Sequence, residues 1–205
     1  MSWTAQFPLQ YRTPDSWAKL PLENLPALLS DHAYLERKAA SNALELLNRW
    51  PEPKRPAQWT TIISAVAKDE TAHLRSVIML MEKRGWKLER LHRSSYAGDL
   101  RKLVRLGKGP DEIADRLMVS ALIEARSCER FEILSRQCEI AELAKFYRGL
   151  FISELGHYKV FLKLAKEVLA KKQATQRWNE MVALEAEIIA RQPIGHGLHS
   201  GPSAN

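Results

Sequence analysis

Apolar residues recur at every third or fourth position over most of this chain, which is the period of helices with one buried face. No run of alternating residues rich in β-branched side chains indicates a strand. Proline and glycine interrupt the helical pattern at a few places and so bound the helices. The four long helices predicted in this way run from Pro21 or Pro26 to about Trp50, from about Ala57 to Arg84, from Pro110 to about Gln137 and from about Ile140 to Lys171.

The connections between these helices are short, long and short, in that order. A proline-rich break at 51–56 joins the first pair, and a connection over 86–109, with a short helix near 100–106, leads to the third helix. The third and fourth helices meet near Cys138 without glycine or proline. This order predicts an all-α protein, a four-helix bundle with one long crossover, plus an additional C-terminal helix over about 176–191. The chain is expected to form one domain, with an irregular arm over about 1–20, the bundle over about 21–171 and the C-terminal helix and tail over about 172–205.

Composition adds few restrictions beyond a globular class. No stretch of about 18 apolar residues could span a membrane, and the first residues lack the basic and apolar segments of a secretion signal. Cys128 and Cys138 lie about 15 Å apart along a helix, too far for a disulfide, which suits a reducing compartment. We therefore expect a cytoplasmic protein that does not bind membranes. The formal net charge of +7 indicates an anionic partner without naming it.

Two Glu-x-x-His pairs, Glu70/His73 and Glu154/His157, lie on the second and fourth predicted helices. Residues three apart on a helix share a face, so each glutamate and histidine can bind one metal ion together. With one glutamate from each of the other two helices, such pairs form the site of two-metal carboxylate proteins built on a four-helix bundle. Carboxylate and imidazole ligands with open coordination positions suit iron that activates oxygen, whereas zinc usually takes fewer ligands.

The distance of each residue from its turn identifies the two missing glutamates. Glu36 lies about 15 positions before the proline-rich break, and Glu70 lies about 14 after it. Glu124 lies about 14 positions before the turn near Cys138, and Glu154 lies about 15 after it. At a rise of about 1.5 Å per residue, all four lie about 21 Å from a turn and can meet at one level of the bundle. Apolar neighbours at helical spacing predict buried carboxylates, and metal binding would remove the cost of burying their charge.

Other interpretations compete with this assignment. All six side chains could instead lie on the surface of amphipathic helices. Glu129 or Glu132 could replace Glu124, although the arginines beside them favour ordinary helix-surface ion pairs. His32, one helical turn before the first of the glutamates, is expected at the surface and otherwise beside the site. Cys128 is expected to be a small core residue, or else to approach the site.

A third Glu-x-x-His pair, Glu89/His92, does not lie at the same level of the bundle as the other glutamates. It follows Gly85 within the long connection, and no glutamate lies at a matching distance from a turn. We therefore predict a solvated pair rather than a ligand pair.

The long connection is also strongly basic, with Trp86 and Tyr96 between the charges. Basic side chains neutralise phosphates, and aromatic rings stack on unpaired bases. A solvated loop whose aromatic residues anchor it in the core would have the same composition. The residues predicted to contact nucleic acid are Lys87, Arg90, Arg93, Arg101, Lys102, Arg105 and Lys108.

Four segments, one on each predicted helix, are more specific than the metal motifs alone. They read LSDHAYLERKAA at 29–40, KDETAH at 68–73, IEARSCERF at 123–131 and SELGHY at 153–158. Together they resemble the MiaE-type tRNA hydroxylases, which are ferritin-like proteins. The resemblance implies an O2-dependent di-iron monooxygenase that hydroxylates the isopentenyl group of 2-methylthio-N6-isopentenyladenosine, next to the anticodon of tRNA. The ligands of its two iron ions would be Glu36, Glu70, His73, Glu124, Glu154 and His157.

The resemblance also implies partners. The basic surface would bind tRNA, and an external electron donor such as a reductase is required, because no flavin or nicotinamide motif is visible. The protein is expected to be a monomer or a dimer. Competing functions are those of another ferritin-like di-iron oxygenase, for example a quinone hydroxylase, of an iron-oxidising or storage protein, and of a metal-free helical RNA-binding module.

Overall fold

All regular secondary structure in the described residues, which are 7–50, 58–90, 92 and 94–201 of the computed structural model, is helical. The helices are a 3₁₀ turn at Asp15–Ala18, α1 at Lys19–Glu23, α2 at Leu25–Leu47, α3 at Trp59–Glu82, α4 at Tyr96–Arg101, α5 at Pro110–Gln137, α6 at Ala141–Val168 and α7 at Lys171–Ala190. No helix within these ranges is long and apolar enough to cross a membrane.

The long helices form two hairpins that pack into a four-helix bundle. α2 packs extensively on α3, and α5 packs extensively on α6. The connection from α3 to α5 contains α4 and is the long crossover, while α7 lies against α4, α5 and α6. The predicted all-α bundle with one crossover and one additional helix is therefore confirmed.

Of the two predicted starts of the first helix, Pro26 agrees with α2, which has this proline in its first turn. Pro21 lies in the separate helix α1, because the chain leaves helical geometry at Asn24 (φ −134°, ψ 73°). The Asn24 side chain accepts a hydrogen bond of 3.2 Å from the backbone N–H of Ala27, which caps the start of α2. α2 then ends at Leu47 rather than near Trp50. The predicted proline-rich break at 51–56 lies outside the described residues.

The bounds of the third predicted helix match α5, but two other predictions were displaced. α4 lies earlier than 100–106 because its fully buried residues, Tyr96 and Leu100, anchor it in the core. α7 begins earlier than predicted because only Leu169 and Ala170, both extended, separate it from α6.

Two apolar clusters fill the bundle, one at each end. Every long helix contributes to both clusters and passes from one to the other near its middle. The apolar residues on either side of this passage are Ala33 and Ala43 on α2, Ala67 and Val77 on α3, Leu122 and Ala125 on α5, and Phe151 and Phe161 on α6. All six predicted ligands lie in these intervals, so they form a polar layer between two apolar cores.

A buried ionic network ties α5 to α7 and to the N-terminal arm. Arg126 is fully buried and donates hydrogen bonds of 2.9 and 2.8 Å to the carboxylate of Glu185. It also pairs with Glu129, whose second partner is the hydroxyl of Thr13 at 2.6 Å. Tyr96 donates a hydrogen bond of 2.8 Å to Glu185. The prediction of a surface ion pair at Glu129 is thus wrong, because the arm covers it.

The C-terminal tail lies across α2 and α5. The backbone N–H of Leu198 donates a hydrogen bond of 2.8 Å to Asp31 on α2. His199 lies 3.2 Å from the hydroxyl of Ser127 on α5. Both Leu198 and His199 are buried, so the tail forms part of the wall around the middle of the bundle.

Candidate metal centre

Four of the predicted ligands converge on one point. Glu36, Glu70, His73 and Glu154 each offer a ligand atom, and these atoms all lie within 4.8 Å of one another. The three carboxylates are buried, and the imidazole is 13% exposed. Such a cluster of carboxylate and imidazole groups is of the kind that binds transition metals.

The remaining two predicted ligands lie beside this cluster. His157 Nδ1 is 2.8 Å from Glu70 Oε1 and 2.8 Å from Glu154 Oε2. The carboxylate of Glu124 is buried and lines the same cavity as the glutamates of the cluster. The structure thus brings together all six side chains from four helices.

Helix register explains this convergence. Glu36 is as many residues from the end of α2 as Glu70 is from the start of α3. In the same way, Glu124 is as many residues from the end of α5 as Glu154 is from the start of α6. Since each pair of helices is joined end to end, residues at equal distance from the joint face each other.

The hydrogen bonding of the cluster fits a bound cation. Glu70 Oε1, His73 Nδ1 and Glu154 Oε1 are buried, and none has a hydrogen-bond partner in the described part of the chain. His73 Nδ1 and Glu154 Oε1 are only 2.8 Å apart, yet they do not meet in hydrogen-bond geometry. Buried polar atoms without partners are costly, and an ion between them would supply the missing interaction. The donor set, four carboxylates and two imidazoles, fits two metal ions.

The carboxylates control the protonation of the histidines. Burial alone would lower the pKa of His73, but the carboxylates of Glu154 and then Glu36 raise it to about 12. Burial would likewise lower the pKa of His157, but the carboxylates of Glu154 and Glu70 raise it to about 11. In the metal-free protein, both rings are therefore protonated on both nitrogens and positively charged at neutral pH.

The carboxylates themselves differ in pKa. Burial, followed by the negative charges of Glu70 and Glu154, raises the pKa of Glu124 well above its usual value. Burial would raise the pKa of Glu36 as well, but the nearby imidazoles of His32 and His73 outweigh it and lower that pKa. The site thus favours the protonated form of Glu124 and the ionised form of Glu36.

His32 is a residue of the site that was predicted at the surface. It is fully buried, and its Nε2 lies 2.6 Å from Glu36 Oε1. Its ring stacks on Tyr147 with a centroid distance of 5.7 Å. A histidine held in this way fixes the orientation of the carboxylate that it contacts. Its position one helical turn before Glu36 was the available signal.

The pair Glu89/His92 lies outside the cluster, and Glu89 is exposed as predicted, but His92 is not. The side chain of His92 is only 7% exposed, and its Nε2 lies 2.7 Å from Asp31 Oδ1. Its Nδ1 lies 2.9 Å from the ammonium group of Lys38. The prediction for His92 failed because Asp31 and Lys38 on α2 both face the loop, and His92 binds between them.

Two further residues of α5, Cys128 and Glu132, have ordinary structural roles. Cys128 is fully buried, with its Sγ 3.7 Å from the backbone oxygen of Phe151, and burial raises the pKa of its thiol. Glu132 forms the predicted ion pair with Arg136 at 2.8 Å, but it is buried rather than at the helix surface.

A cavity adjoins the cluster on the side of α2, α4 and α5. The empty space between its lining atoms, together with adjoining open solvent, amounts to about 770 Å³. The four glutamates among the predicted ligands line it and are here called its floor. Its apolar wall consists of Leu35, Ala39, Ala97, Val104, Val119, Ile123, Phe131 and Leu198, and the uncharged polar residues in its lining are His32, Asn42, Ser120, Ser127 and His199. Three basic residues, Lys38, Arg101 and Arg116, also line it and are here called the rim.

The structure separates the residues that were predicted to contact nucleic acid. Arg101 lines the cavity, whereas Lys102 forms an ion pair with Asp99 and Arg105 with Asp115. The others in the described residues, Lys87, Arg90 and Lys108, are exposed and lie away from the cavity lining. Arg93 lies outside the described residues. The sequence did not single out Lys38 and Arg116, which lie on α2 and α5 rather than in the basic connection.

Comparisons with known proteins agree on one family. The family model described as tRNA-(MS2IO6A)-hydroxylase (MiaE) matches residues 2–200. A relative from Pseudomonas putida KT2440, named tRNA 2-(methylsulfanyl)-N(6)-isopentenyladenosine(37) hydroxylase, is 37% identical over 189 residues, which cover 92% of this chain and 90% of the relative. A relative of the same name from Salmonella typhimurium LT2 is 29% identical over 239 aligned positions, covering 94% of this chain and 87% of the relative.

A solved structure shares the fold. The chain described as protein 43 with aldehyde deformylating oxygenase activity, from Synechococcus, is 28% identical and superposes with a TM-score of 0.86 over 98% of both chains. This likeness confirms the predicted ferritin-like architecture.

Proposed function

This chain belongs to the MiaE family of tRNA hydroxylases, and we propose that it hydroxylates the isopentenyl group of 2-methylthio-N6-isopentenyladenosine in tRNA. The reaction would take one substrate C–H bond, O2, two electrons and two protons to one C–OH group and one water molecule. The electrons would come from an external donor, such as a reductase. We further propose that the protein acts in the cytoplasm as a monomer or a dimer.

The metal centre would contain two iron ions. When bound, they would activate O2 for insertion of one oxygen atom into an unactivated C–H bond. The side chains proposed to hold them are Glu36, Glu70, His73, Glu124, Glu154 and His157. His32 would keep the Glu36 carboxylate in its binding orientation through their 2.6 Å contact.

The observation that carries this proposal is the position of the apolar cavity. Its wall is aliphatic and aromatic, and its floor consists of carboxylates of the candidate metal centre. An isopentenyl group has no polar atom, so its burial against such a wall is favourable and excludes water from the floor. Ile123 and Val119 on α5 would contact the prenyl group from one side, and Leu35 on α2 from the other.

Filling the cavity tests the proposal. Purified iron-loaded protein with O2 and a reductant should convert the modified adenosine of tRNA to its hydroxylated form, detected by nucleoside mass spectrometry. Ile123→Phe should retain the metal and lose most of this turnover, since the added bulk occupies the space for the prenyl group. Ile152→Phe, at a position that is 67% exposed on α6, is the matched control and should retain both.

Three results would count against the proposal. If the wild-type protein carries two iron ions per chain and leaves the nucleoside unchanged, the function is wrong. If Ile123→Phe matches the wild type in turnover, the cavity does not bind the prenyl group. Less than about one iron ion per chain after iron-replete expression would rule out a two-metal oxygenase.

A second candidate is oxygenation of a free aliphatic molecule. The structure from Synechococcus is named for an aldehyde deformylating oxygenase activity, and the apolar wall would also accept an aliphatic chain. The three basic residues of the rim favour a substrate with phosphate groups instead. Incubation with a long-chain aldehyde under the same conditions separates the two candidates.

A further inference from the structure

We propose that Lys38 and Arg101, on the rim of the cavity, bind a phosphate group of the RNA strand beside the substrate nucleoside. This proposal rests on the proposed function, because it assumes that the substrate reaches the metal centre through this cavity. Lys38 lies on α2, whereas Arg101 lies on α4 and belongs to the basic connection.

Neither Arg101 nor Lys38 forms an ion pair with a described residue. The guanidinium group of Arg101 is exposed and makes no hydrogen bond or ion pair with another described residue. Within the described residues, no carboxylate lies within 4 Å of the Lys38 ammonium group, and its hydrogen bond is to His92. By contrast, the third rim residue, Arg116, is paired with Glu112 at 2.9 Å. Two cations of the rim are therefore available for an anionic ligand.

Charges of both signs act on Lys38 beside the opening of the cavity. The carboxylate of Asp31 attracts its ammonium group, and the guanidinium groups of Arg101 and Arg37 repel it. A phosphate placed between Lys38 and Arg101 would relieve this repulsion, and charge-assisted hydrogen bonds to phosphate are among the strongest in proteins. An RNA strand brings a phosphate on each side of the nucleoside that enters.

His92 holds the ammonium group of Lys38 in place. His92 Nδ1 accepts a hydrogen bond from the Lys38 ammonium group, so its Nε2 carries the proton that is donated to Asp31 at 2.7 Å. Asp31 in turn accepts a hydrogen bond from the backbone N–H of Leu198. Fixing a flexible lysine in this way reduces the entropy that is lost when it binds a ligand. His92 is thus a positioning residue for Lys38.

Binding of an anticodon stem-loop RNA that carries the modified adenosine tests the pair. The full chain and the variants Lys38→Gln and Arg101→Gln would be titrated with the labelled RNA between 50 and 200 mM KCl. Each variant should bind about 10-fold more weakly, because a charge-assisted contact is lost. Each should also lower the slope of log Kd against log salt concentration by about 0.7, as expected for one contact to a single strand.

The control is Lys145→Gln, which removes one positive charge from an exposed position on α6. If Lys38→Gln and Arg101→Gln match this control in affinity and salt slope, the proposal is wrong. Turnover adds a second comparison. The ratio of kcat/KM for the stem-loop to kcat/KM for the free nucleoside, which lacks phosphate, should fall about 10-fold in both variants. If the wild type hydroxylates neither substrate, the proposed function fails, while the binding data still decide the phosphate contacts.

The role of His92 has its own test. His92→Leu removes the acceptor for Lys38 and should weaken stem-loop binding several-fold, although both rim cations remain. His92→Gln retains an acceptor and a donor and should restore binding to within about twofold of the wild type. If His92→Leu, with a wild-type circular dichroism spectrum, binds like the wild type, then Lys38 does not depend on His92.

Discussion

Metal uptake by the metal-free protein should release at least about two protons. The candidate ligands carry protons that a metal ion must displace, because an imidazole binds a metal only through a neutral nitrogen and a carboxyl group only when ionised. The perturbation is the addition of a redox-inert divalent ion, such as Mn²⁺, to protein from which a chelator has removed all metal.

The number follows from the pKa values of the cluster. His73 and His157 have a pKa raised to about 12 and about 11, so each carries a proton that would be absent from a free histidine at pH 7.5. Burial, followed by two neighbouring carboxylates, raises the pKa of Glu124 well above its usual value, so this residue adds to the protons released. Glu36 supplies none, because its pKa is lowered. The overall binding constant should therefore increase at least about 100-fold per pH unit near neutrality.

Calorimetric titration in two buffers of different protonation enthalpy measures this number directly. Glu124→Gln should release fewer protons than the wild type, since it removes a carboxyl group whose protonation burial favours. Glu132→Gln, on the same helix and in an ion pair with Arg136, should release as many as the wild type. Release of one proton or fewer by the wild type would refute the protonation scheme of the cluster.

Three further predictions concern single side chains. Glu154→Ala should abolish metal binding and preserve the helical circular dichroism spectrum; full metal content by mass spectrometry would show that Glu154 is not a ligand. His32→Phe should keep the fold and weaken metal binding about 10- to 100-fold in a chelator competition, because the Glu36 carboxylate loses the contact that orients it. Arg126→Met should lower the free energy of unfolding by about 3–5 kcal/mol, since it leaves two buried carboxylates without their cation. Lys83→Met, in an exposed ion pair with Glu142, should cost less than about 1 kcal/mol in the same urea titration, and equal losses would contradict the argument from burial.

The helices and the level of the metal centre could be predicted because they depend on local spacing. Proline, glycine and the helical period located the long helices, and equal distances from the joints brought Glu36 and Glu124 to the level of the two Glu-x-x-His pairs. Errors at helix ends had local causes that the pattern does not contain. The break at Asn24, for example, depends on a hydrogen bond of its own side chain.

The burial of other polar residues could not be predicted, because it depends on segments distant in the sequence. Glu129 has the neighbours of a surface residue on its own helix, yet Thr13, 116 positions earlier, covers it. His92 is buried because Asp31, 61 positions earlier, faces the loop. Such contacts form only when the arm, the crossover and the bundle pack together.

The polar layer divides the interior of the bundle into two apolar cores, and this division has a consequence for protein engineering. The two cores have different buried residues, and Tyr158 is the partly buried residue that packs against both, so the effects on stability of substitutions away from Tyr158 should add. Each end could be redesigned as an independent module, for instance to raise the melting temperature, while the register of the helices at the centre stays unchanged. Over evolutionary time, the same separation would let one core drift in sequence without requiring compensating changes in the other.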